Sequence, residues 1–321
     1  MAGFVAVCLM PAGKITRPSA LAAMATLALR AVAHADAPAG LSIGVVLAEP
    51  YMEPYYADDL GFFKRAGISP NIEVFPNASI TLQAVVGNAL DIGTANLIQL
   101  ASAFNRGVDV TMVAAGGMFT SDQTTIPLCV AKSSSIQNAK DLEGRTVSVT
   151  NLQGTEGIAV SEWLKAGGAD PGRVKMFEIP FAQVGPALAR GTVAAGLLGE
   201  PFTSQYAADV RAIGYPYAAI APAFYTGVWV ARRSYLATHG PLARKLVSTL
   251  YETANWANTH KADAAALFAK LSQRDLSSLL SQTRIPFGTA LETRYAQPLL
   301  DKAFAYKLLD KPVNAKDLFW T

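Results

Sequence analysis

The stretch TVSVTNLQGTEGIAVSEWLKAGG, residues 146–168, joins two different sequence patterns. Residues 146–150 are β-branched or apolar and indicate a short buried strand, whereas residues 155–166 carry apolar side chains at helical spacing. A turn containing Gly154 separates them. A strand that passes through a tight turn into a helix is the repeating unit of an α/β sheet, so this stretch predicts the fold class.

The same alternation continues on both sides of this stretch. Further strands are predicted at residues 41–47, 72–75, 110–115, 128–131, 174–179, 194–198 and 226–231. Helices are predicted at residues 54–66, 80–87, 97–105, 182–190 and 202–210, and a helical C-terminal part at 242–260, 261–271 and 291–309. With 321 residues, of which 51% are hydrophobic, the chain is long enough for two α/β domains.

Residues 1–35 have the pattern of a secretory signal peptide. Lys14 and Arg17 precede an apolar run over residues 19–29, and Ala33 and Ala35 form a small-x-small cleavage pattern. The alternative is a buried N-terminal helix. Val7 stands before Cys8 where a lipoprotein signal needs a small residue, so we expect export to a bacterial periplasm without a lipid anchor.

Removal of this segment changes the charge balance. The whole chain has 27 basic and 24 acidic residues, and residues 1–35 contain Lys14, Arg17 and Arg30 but no acid, which leaves 24 of each sign. Without a positive excess, nucleic acid is not an expected partner. Beyond residue 35 no apolar run approaches the roughly 18 residues of a membrane span. Cys129, in an apolar context, is expected to be a buried inert thiol.

The sequence contains no recognisable catalytic or metal-binding motif. GxSxG, HExxH and GxxxxGK[ST] do not occur, and His239 and His260 have no Cys or carboxylate at metal-ligand spacing. We therefore expect no metal, no cofactor and no enzymatic activity.

Ligand-binding residues are expected where predicted strands end, because ligands of open α/β sheets bind at those edges. The candidates are short polar, acidic or aromatic residues: Glu49, Tyr51, Tyr55, Asn77, Ser79, Asn96, Phe119, Gln153, Gly154, Thr155, Phe181, Glu200 and Tyr225. For each alone, a helix cap, a turn or a core position is the alternative. Thr155 is expected to cap its helix as well as to contact ligand.

Six landmarks, in order along the chain, are similar to those of a known family. They are EPYYADDLGFFKRAGISPNIEVFP (53–76), VVGNALDIGTAN (85–96), AKDLEGRTVSV (139–149), GGADPGRVKMFEIP (167–180), ALARGTVAAGLLGEPF (187–202) and LLDKPVNAKDLF (308–319). In this order they resemble the nitrate/sulfonate/taurine-type periplasmic substrate-binding proteins of ABC importers, a family that includes binders of thiamine-pyrimidine precursors.

The resemblance implies a type II periplasmic binding protein with two α/β domains, each a mixed sheet with flanking helices, and a ligand cleft between them. Residues 36–125 and 224–321 would form a discontinuous first domain, and residues 126–223 the second. The implied partners are a small-molecule ligand and a membrane permease, and the implied state is a monomer. A thiamine-pyrimidine synthase or a sensory domain on the same fold are the alternatives.

The ligand class is argued from the strand-end loops, which contain aromatic residues but no Lys or Arg. A nitrate or sulfonate leaving water needs cations or several firm donors, so their absence favours a small organic, planar or aromatic ligand. Four polar residues would orient it by hydrogen bonds: Asn77, Asn96, Gln153 and Thr155. Glu49 and Glu200 would accept an N–H or a positive centre. An aliphatic sulfonate, taurine or nitrate is the alternative ligand.

Overall fold

The strands of the described chain form two five-stranded mixed sheets and one two-stranded sheet. The computed structural model describes residues 39–123 and 125–321, and the predicted signal peptide lies outside them. The strands are β1 (Ala39–Val46), β2 (Ile68–Phe75), β3 (Ile92–Ala95), β4 (Thr111–Ala115), β5 (Met118–Thr120), β6 (Leu128–Ala131), β7 (Thr146–Val149), β8 (Lys175–Glu178), β9 (Ala195–Leu197), β10 (Val210–Gly214), β11 (Ala223–Tyr225) and β12 (Val228–Ala231).

The first sheet has the order β2-β1-β3-β12-β4 and the second the order β10-β6-β9-β7-β8. In the first, β1 is parallel to β2 and β3, and β12 runs antiparallel between β3 and β4. In the second, β7 is parallel to β8 and β9, and β6 is antiparallel to β9 and β10. The expected pair of mixed α/β sheets is therefore present.

The chain passes between the two sheets twice, and the two-stranded sheet lies at these passages. β5 precedes the first passage and β11 follows the second, and the two strands pair antiparallel with Phe119 opposite Phe224. Both phenylalanines are buried, at 2% and 0% exposure. The two connecting segments are thus held together by a short ladder with an apolar core.

The helices lie between the strands and after the last of them. They are α1 (Glu53–Asp59), α2 (Phe62–Ala66), α3 (Ala78–Val86), α4 (Leu97–Asn105), α5 (Thr155–Ala166), α6 (Phe181–Ala189), α7 (Phe202–Gln205), α8 (Arg233–Thr259), α9 (Lys261–Ser272), α10 (Leu276–Ser281), α11 (Thr293–Ala305) and α12 (Ala315–Leu318). No helix of the described chain is long and apolar enough to span a membrane.

Three local features differ from the sequence-based expectation. Gly61 has a φ of 71°, a left-handed conformation that breaks the helix predicted at 54–66 into α1 and α2. The helix predicted at 202–210 ends at Gln205, and Val210 already begins β10. The helix predicted from residue 242 begins at Arg233 and is kinked at His239, two residues before Pro241, which cannot donate a backbone hydrogen bond.

Each of the two five-stranded sheets is covered on both faces by helices. On one face of the first sheet, α2 and α8 bury a cluster that includes Ile43, Phe63, Trp229 and Leu246, and α3, α4 and α11 cover the other face. In the second sheet α5 packs on one face and α6 on the other. Cys129 lies in this core, and burial raises the pKa of its thiol to about 11. The cores leave the loops at the strand ends as the surface available for a ligand.

Candidate functional site

A cavity of about 330 Å³ lies where loops from both five-stranded sheets meet. Residues 47–50, which follow β1, line one side, and Gly199 and Glu200, which follow β9, line another. Phe181, the first residue of α6, and residues 125–126, which precede β6, also border it. Further lining residues come from α9, from the link between α9 and α10, and from the segment after α10: Phe268, Arg274, Gln282, Thr283 and Ile285. The cavity therefore lies at the strand-end edge where α/β sheets bind ligands.

Glu49 and Arg284 form a well-buried ion pair at the edge of this cavity. Arg284 Nε lies 2.5 Å from Glu49 Oε1, and the side chains are 11% and 16% exposed for Arg284 and Glu49 respectively. Burial raises the pKa of Glu49 to about 7, although Arg284, a backbone hydrogen bond from Ile285 and the charge of Arg274 all act to lower it. Glu49 is consequently engaged within the protein, and we no longer expect it to bind a positive centre of the ligand.

Glu200 is also engaged, in this case by the following helix. Its carboxylate accepts hydrogen bonds from the backbone N–H of Ser204 at 3.2 Å and from Ser204 Oγ at 3.0 Å. Both of its oxygens therefore have a partner within the same short segment, which fixes the side chain at the rim of the cavity.

A second layer of buried polar groups lies near the cavity. Glu53 is fully buried on α1, and its Oε1 accepts a hydrogen bond from Trp229 Nε1 at 3.2 Å. Burial raises the pKa of Glu53 to about 8. Tyr51 packs edge-on against Trp229, with ring centroids 6.4 Å apart. These contacts hold the segment that follows the cavity residue Pro50 against Trp229 of β12.

The N-terminus of α5 carries a carboxyl group of its own. Burial raises the pKa of Glu156, and hydrogen bonds with its own backbone N–H, Thr150 and Tyr217 act in the opposite direction. Gly154 is the N-cap residue of α5, and Thr155 is the first helical residue without a side-chain capping bond. The expectation that Thr155 caps this helix is therefore wrong, because Gly154 occupies that position.

The predicted site residues fall into three groups. Glu49, Phe181 and Glu200 line the cavity. Asn77 and Asn96 cap α3 and α4 by accepting the backbone N–H of Ile80 and Gln99, and Ser79 accepts from the side chain of Gln99. The third group is not among the residues that line the cavity. Of this group, Tyr51, Phe119, Gly154 and Tyr225 are buried, Tyr55 and Thr155 are half-buried, and Gln153 is exposed.

The structure brings arginines to the cleft that the sequence reasoning did not place there. The strand-end loops lack Lys and Arg, as the sequence shows, but Arg274 lines the cavity and Arg284 borders it. The two arginines lie on either side of α10, which is far along the chain from the last strand, β12. The expectation of a cleft without cations is wrong because it considered strand ends alone. The polar arginine-containing segment at 273–284 was the available signal.

Neither of the two histidines in the described part of the chain lines the cavity. Within residues 39–123 and 125–321 no group of three His, Cys, Asp or Glu side chains is arranged to hold a metal ion. His239 stacks on Tyr235 and His260 on Trp256, with centroids 4.3 and 5.3 Å apart, and both histidines are exposed on α8 or at its end.

Two mixed α/β sheets that are joined by two passages, with a cavity at their strand ends, are the architecture of the periplasmic-binding-protein fold. The chain belongs to the NMT1/THI5-like family, whose model matches residues 50–264, about two thirds of the chain. No curated protein sequence matches it.

Solved structures with the same fold include binding proteins and an enzyme. The periplasmic aliphatic sulphonate binding protein SsuA from Escherichia coli superposes with a TM-score of 0.73 at 18% identity, covering 88% of this chain and 92% of that protein. The alkanesulfonate-binding protein SsuA from Xanthomonas axonopodis pv. citri, bound to MOPS, gives 0.68 at 18% identity, covering 88% and 98%. The desulfurization enzyme DSZB gives 0.67 at 15% identity, covering 87% and 96%. These likenesses establish the fold.

Proposed function

We propose that this protein is the solute-binding component of an ABC importer and that it captures a small organic, planar ligand for a membrane permease. The observation that carries the proposal is the cavity of about 330 Å³, bordered by loops from both sheets and lined largely by apolar groups with a few polar ones. Such a cavity has the size and composition of a small-molecule site. The importer role is supported by the shared fold with two sulfonate-binding proteins.

A binding role fits the cavity better than catalysis. Of the cavity-lining residues that the structure describes, none is His, Cys, Ser or Lys, and the two carboxylates are held by Arg284 and by Ser204. A hydrolytic or acyl-transfer site requires a nucleophile with an adjacent base. We therefore favour binding over an enzymatic role such as that of DSZB.

The domain division and the export route are part of the same proposal. We place the first domain at residues 36–125 and 224–321 and the second at residues 126–223, with hinge movement at the two passages. The support is that β1 to β4 and β12 share one sheet, whereas β6 to β10 form the other. Residues 1–35 would direct the monomeric protein to the periplasm, which N-terminal sequencing of the exported protein would test.

The proposed function is tested by identifying what the protein binds. Native mass spectrometry of protein purified without refolding is expected to show a small organic molecule bound with one-to-one stoichiometry. In thermal-shift assays, flat aromatic compounds should raise the melting temperature, whereas nitrate and ethanesulfonate should leave it unchanged. Stabilisation by ethanesulfonate alone would reject the planar ligand but keep the binding role. Turnover of a bound compound would reject the binding role itself.

Closure of the cleft is expected to depend on Glu162. The side chain of this α5 residue is 13% exposed and accepts hydrogen bonds from Lys302 Nζ and, at 2.6 Å, from Tyr306 Oη. Lys302 lies on α11 and Tyr306 is its C-cap residue. Since α5 packs on the second sheet and α11 on the first-sheet side, these bonds join the two halves. Glu162→Gln should cost the closed form about 2 kcal/mol, more than tenfold in the ratio of closed to open protein.

Small-angle X-ray scattering of the ligand-free protein measures this effect. The radius of gyration should rise for Glu162→Gln, and it should stay unchanged for the control Glu252→Gln, whose ion pair with Arg65 is exposed and lies within the first-sheet half. An unchanged radius in both variants would show that these bonds do not hold the halves together.

A further inference from the structure

A short segment of the chain separates the cavity at the strand ends from a second cavity, which α9 and α10 border. The second cavity has a volume of about 420 Å³, and the exposed residues Lys261 and Leu280 line it. Gln282 and Thr283 line both cavities, so the chain has open space on its two sides at this point. Residues 282–285, which we name the strap, thus form a thin wall between the strand-end cavity and the exterior.

Both ends of the strap are firmly anchored. Before it, Leu279 of α10 is buried in an apolar cluster with residues of α8 and α9. After it, Pro286 O accepts the backbone N–H of Met118 at 2.8 Å, and Phe287 forms two hydrogen bonds of 2.9 Å with the side chain of Asn258. These fixed points confine any movement to the residues between them.

The middle of the strap is attached by one acidic side chain, Glu49. In the part of the chain that the structure describes, no backbone–backbone hydrogen bond is found for Thr283, Arg284 or Ile285. The Glu49 carboxylate lies 2.5 Å from Arg284 Nε and accepts the backbone N–H of Ile285. A segment with few backbone hydrogen bonds opens at a low free-energy cost, so this single attachment determines whether the strap stays closed.

The attachment also leaves buried polar atoms unsatisfied. Glu49 Oε1 and Arg284 Nη1 are both buried, and neither has an aligned hydrogen-bond partner among the described residues, although the ion pair is short. Water would bond to both atoms in an opened strap, and this gain offsets part of the ion-pair energy that is lost. The closed strap is therefore held by a small free-energy difference.

The outer side of the strap has room for movement. Ser281 and Thr283 are exposed, and the exposed fraction of Leu280 is 54%. α9 and α10 pack on α1 and α8, which belong to the first-sheet side, and Glu49 lies on that side as well. Release of the strap from Glu49 consequently needs no separation of the two five-stranded sheets.

We propose that the strap is a gate: residues 282–285 move away from Glu49 and open a second entrance to the strand-end cavity, independent of the hinge. The role of this gate in ligand entry rests on the proposed binding function, whereas its opening is a property of the protein alone. A small molecule can then exchange with the cavity while the two sheets stay together.

Labelling of a cysteine placed beneath the strap tests the proposal. Ala264 of α9 is 2% exposed and borders a gap of about 10 Å³ together with Arg284 and Ile285. In Ala264→Cys, N-ethylmaleimide should reach the new thiol only while the strap is open, and mass spectrometry measures the labelling rate. Glu49→Gln removes the charge that holds the strap, so it should raise this rate at least about tenfold.

A second variant separates opening of the strap from a change in thiol reactivity. Arg284→Met removes a positive charge and Glu49→Gln a negative one, so they shift the ionisation of a nearby thiol in opposite directions. Both should raise the labelling rate, because both break the same ion pair. If Arg284→Met does not fold, as judged by circular dichroism, Arg284→Lys takes its place, since it keeps the charge but loses the planar donor group.

Three controls confine the effect to the strap. Asp59→Asn removes an exposed ion pair between α1 and Lys270 of α9, and it should leave the labelling rate unchanged. The buried Cys129 should stay unlabelled in every variant, which excludes global unfolding. A separate reporter, Ala254→Cys on α8, lies in the same apolar cluster as Ala264 and should also stay unlabelled, which excludes loosening of the whole cluster.

The outcomes also separate the gate from the hinge and from the binding function. In Glu49→Gln the radius of gyration should stay at the wild-type value, and Glu162→Gln, which loosens the two halves, should not speed the labelling of Ala264→Cys. An unchanged rate in the Glu49 and Arg284 variants, a radius that rises with the rate, or faster labelling in Glu162→Gln would overturn the gate and leave the binding function intact. Labelling as expected, without any small molecule in native mass spectrometry, would overturn the binding function and keep the gate.

Discussion

Arg284→Met is expected to lower the free energy of unfolding by about 2 kcal/mol at pH 8, because it removes the partner of the ionised Glu49 and forces this buried group to take up a proton or to stay charged without a partner. The ion pair has its two side chains only 11% and 16% exposed, so water does not replace the lost guanidinium. Chemical unfolding at pH 8 and pH 5 measures the effect.

The pH dependence follows from the pKa of Glu49, which burial raises to about 7. At pH 5 Glu49 is protonated in the folded protein, so loss of Arg284 removes no charge pair and should cost only about 1 kcal/mol of hydrogen bonding. The double variant Glu49→Gln with Arg284→Met should recover most of the loss at pH 8. An equal loss at both pH values would assign the contribution of Arg284 to packing instead.

Glu53→Gln is expected to raise the free energy of unfolding by about 3 kcal/mol at pH 7, an unusual gain for a substitution in a protein core. Glu53 is fully buried, and its pKa is about 8 rather than the usual 4.5. The folded protein therefore keeps a proton that the unfolded chain releases, and stability declines as the pH rises from 4.5 through 8. Glutamine has no such proton and can still accept the hydrogen bond from Trp229.

Unfolding curves between pH 4.5 and pH 8.5 test this expectation. The wild type should lose stability with rising pH, the Glu53→Gln variant should lose markedly less, and the two should be similar at pH 4.5. Glu73→Gln, at an exposed position of β2, is the matched control and should follow the wild type. A Glu53→Gln variant that is less stable than the wild type at every pH would show that the carboxyl group is needed in its place.

The fold was predictable where local signals agreed. The bounds of α4 and α5 match those predicted, because helical spacing of apolar residues coincides with a cap residue before α4 and a glycine after α5. β3, β5 and β11 were not predicted. Strands of three or four residues have no periodicity of their own, and the equally short β6 and β9 were found because each lies in a longer apolar run. The break between α1 and α2 depends on one glycine inside a continuous helical pattern.

The site was predictable only in part, for a different physical reason. The strand-end rule leads to Glu49, Phe181 and Glu200 because local connectivity places them at a sheet edge. Arg274 reaches the cavity through the packing of α9 and α10, which no local pattern encodes. For Tyr225, the sequence cannot separate a ligand contact from a core position, because both bury aromatic surface; its hydroxyl in fact accepts from Glu292 N and donates to Ala290 O.

The position of β12 between β3 and β4 governs the order in which the protein can fold. Val228 pairs with Ala95 of β3 on one side and with Ala115 of β4 on the other. Strand β4 therefore cannot join β1, β2 and β3 in the first sheet until residues 228–231 have been synthesised. The strands of the second sheet all lie within residues 128–214 and are complete earlier. Pairings that are distant in sequence form slowly. A nascent chain therefore completes its second sheet first, and the arrival of one late strand sets the time at which the first can close.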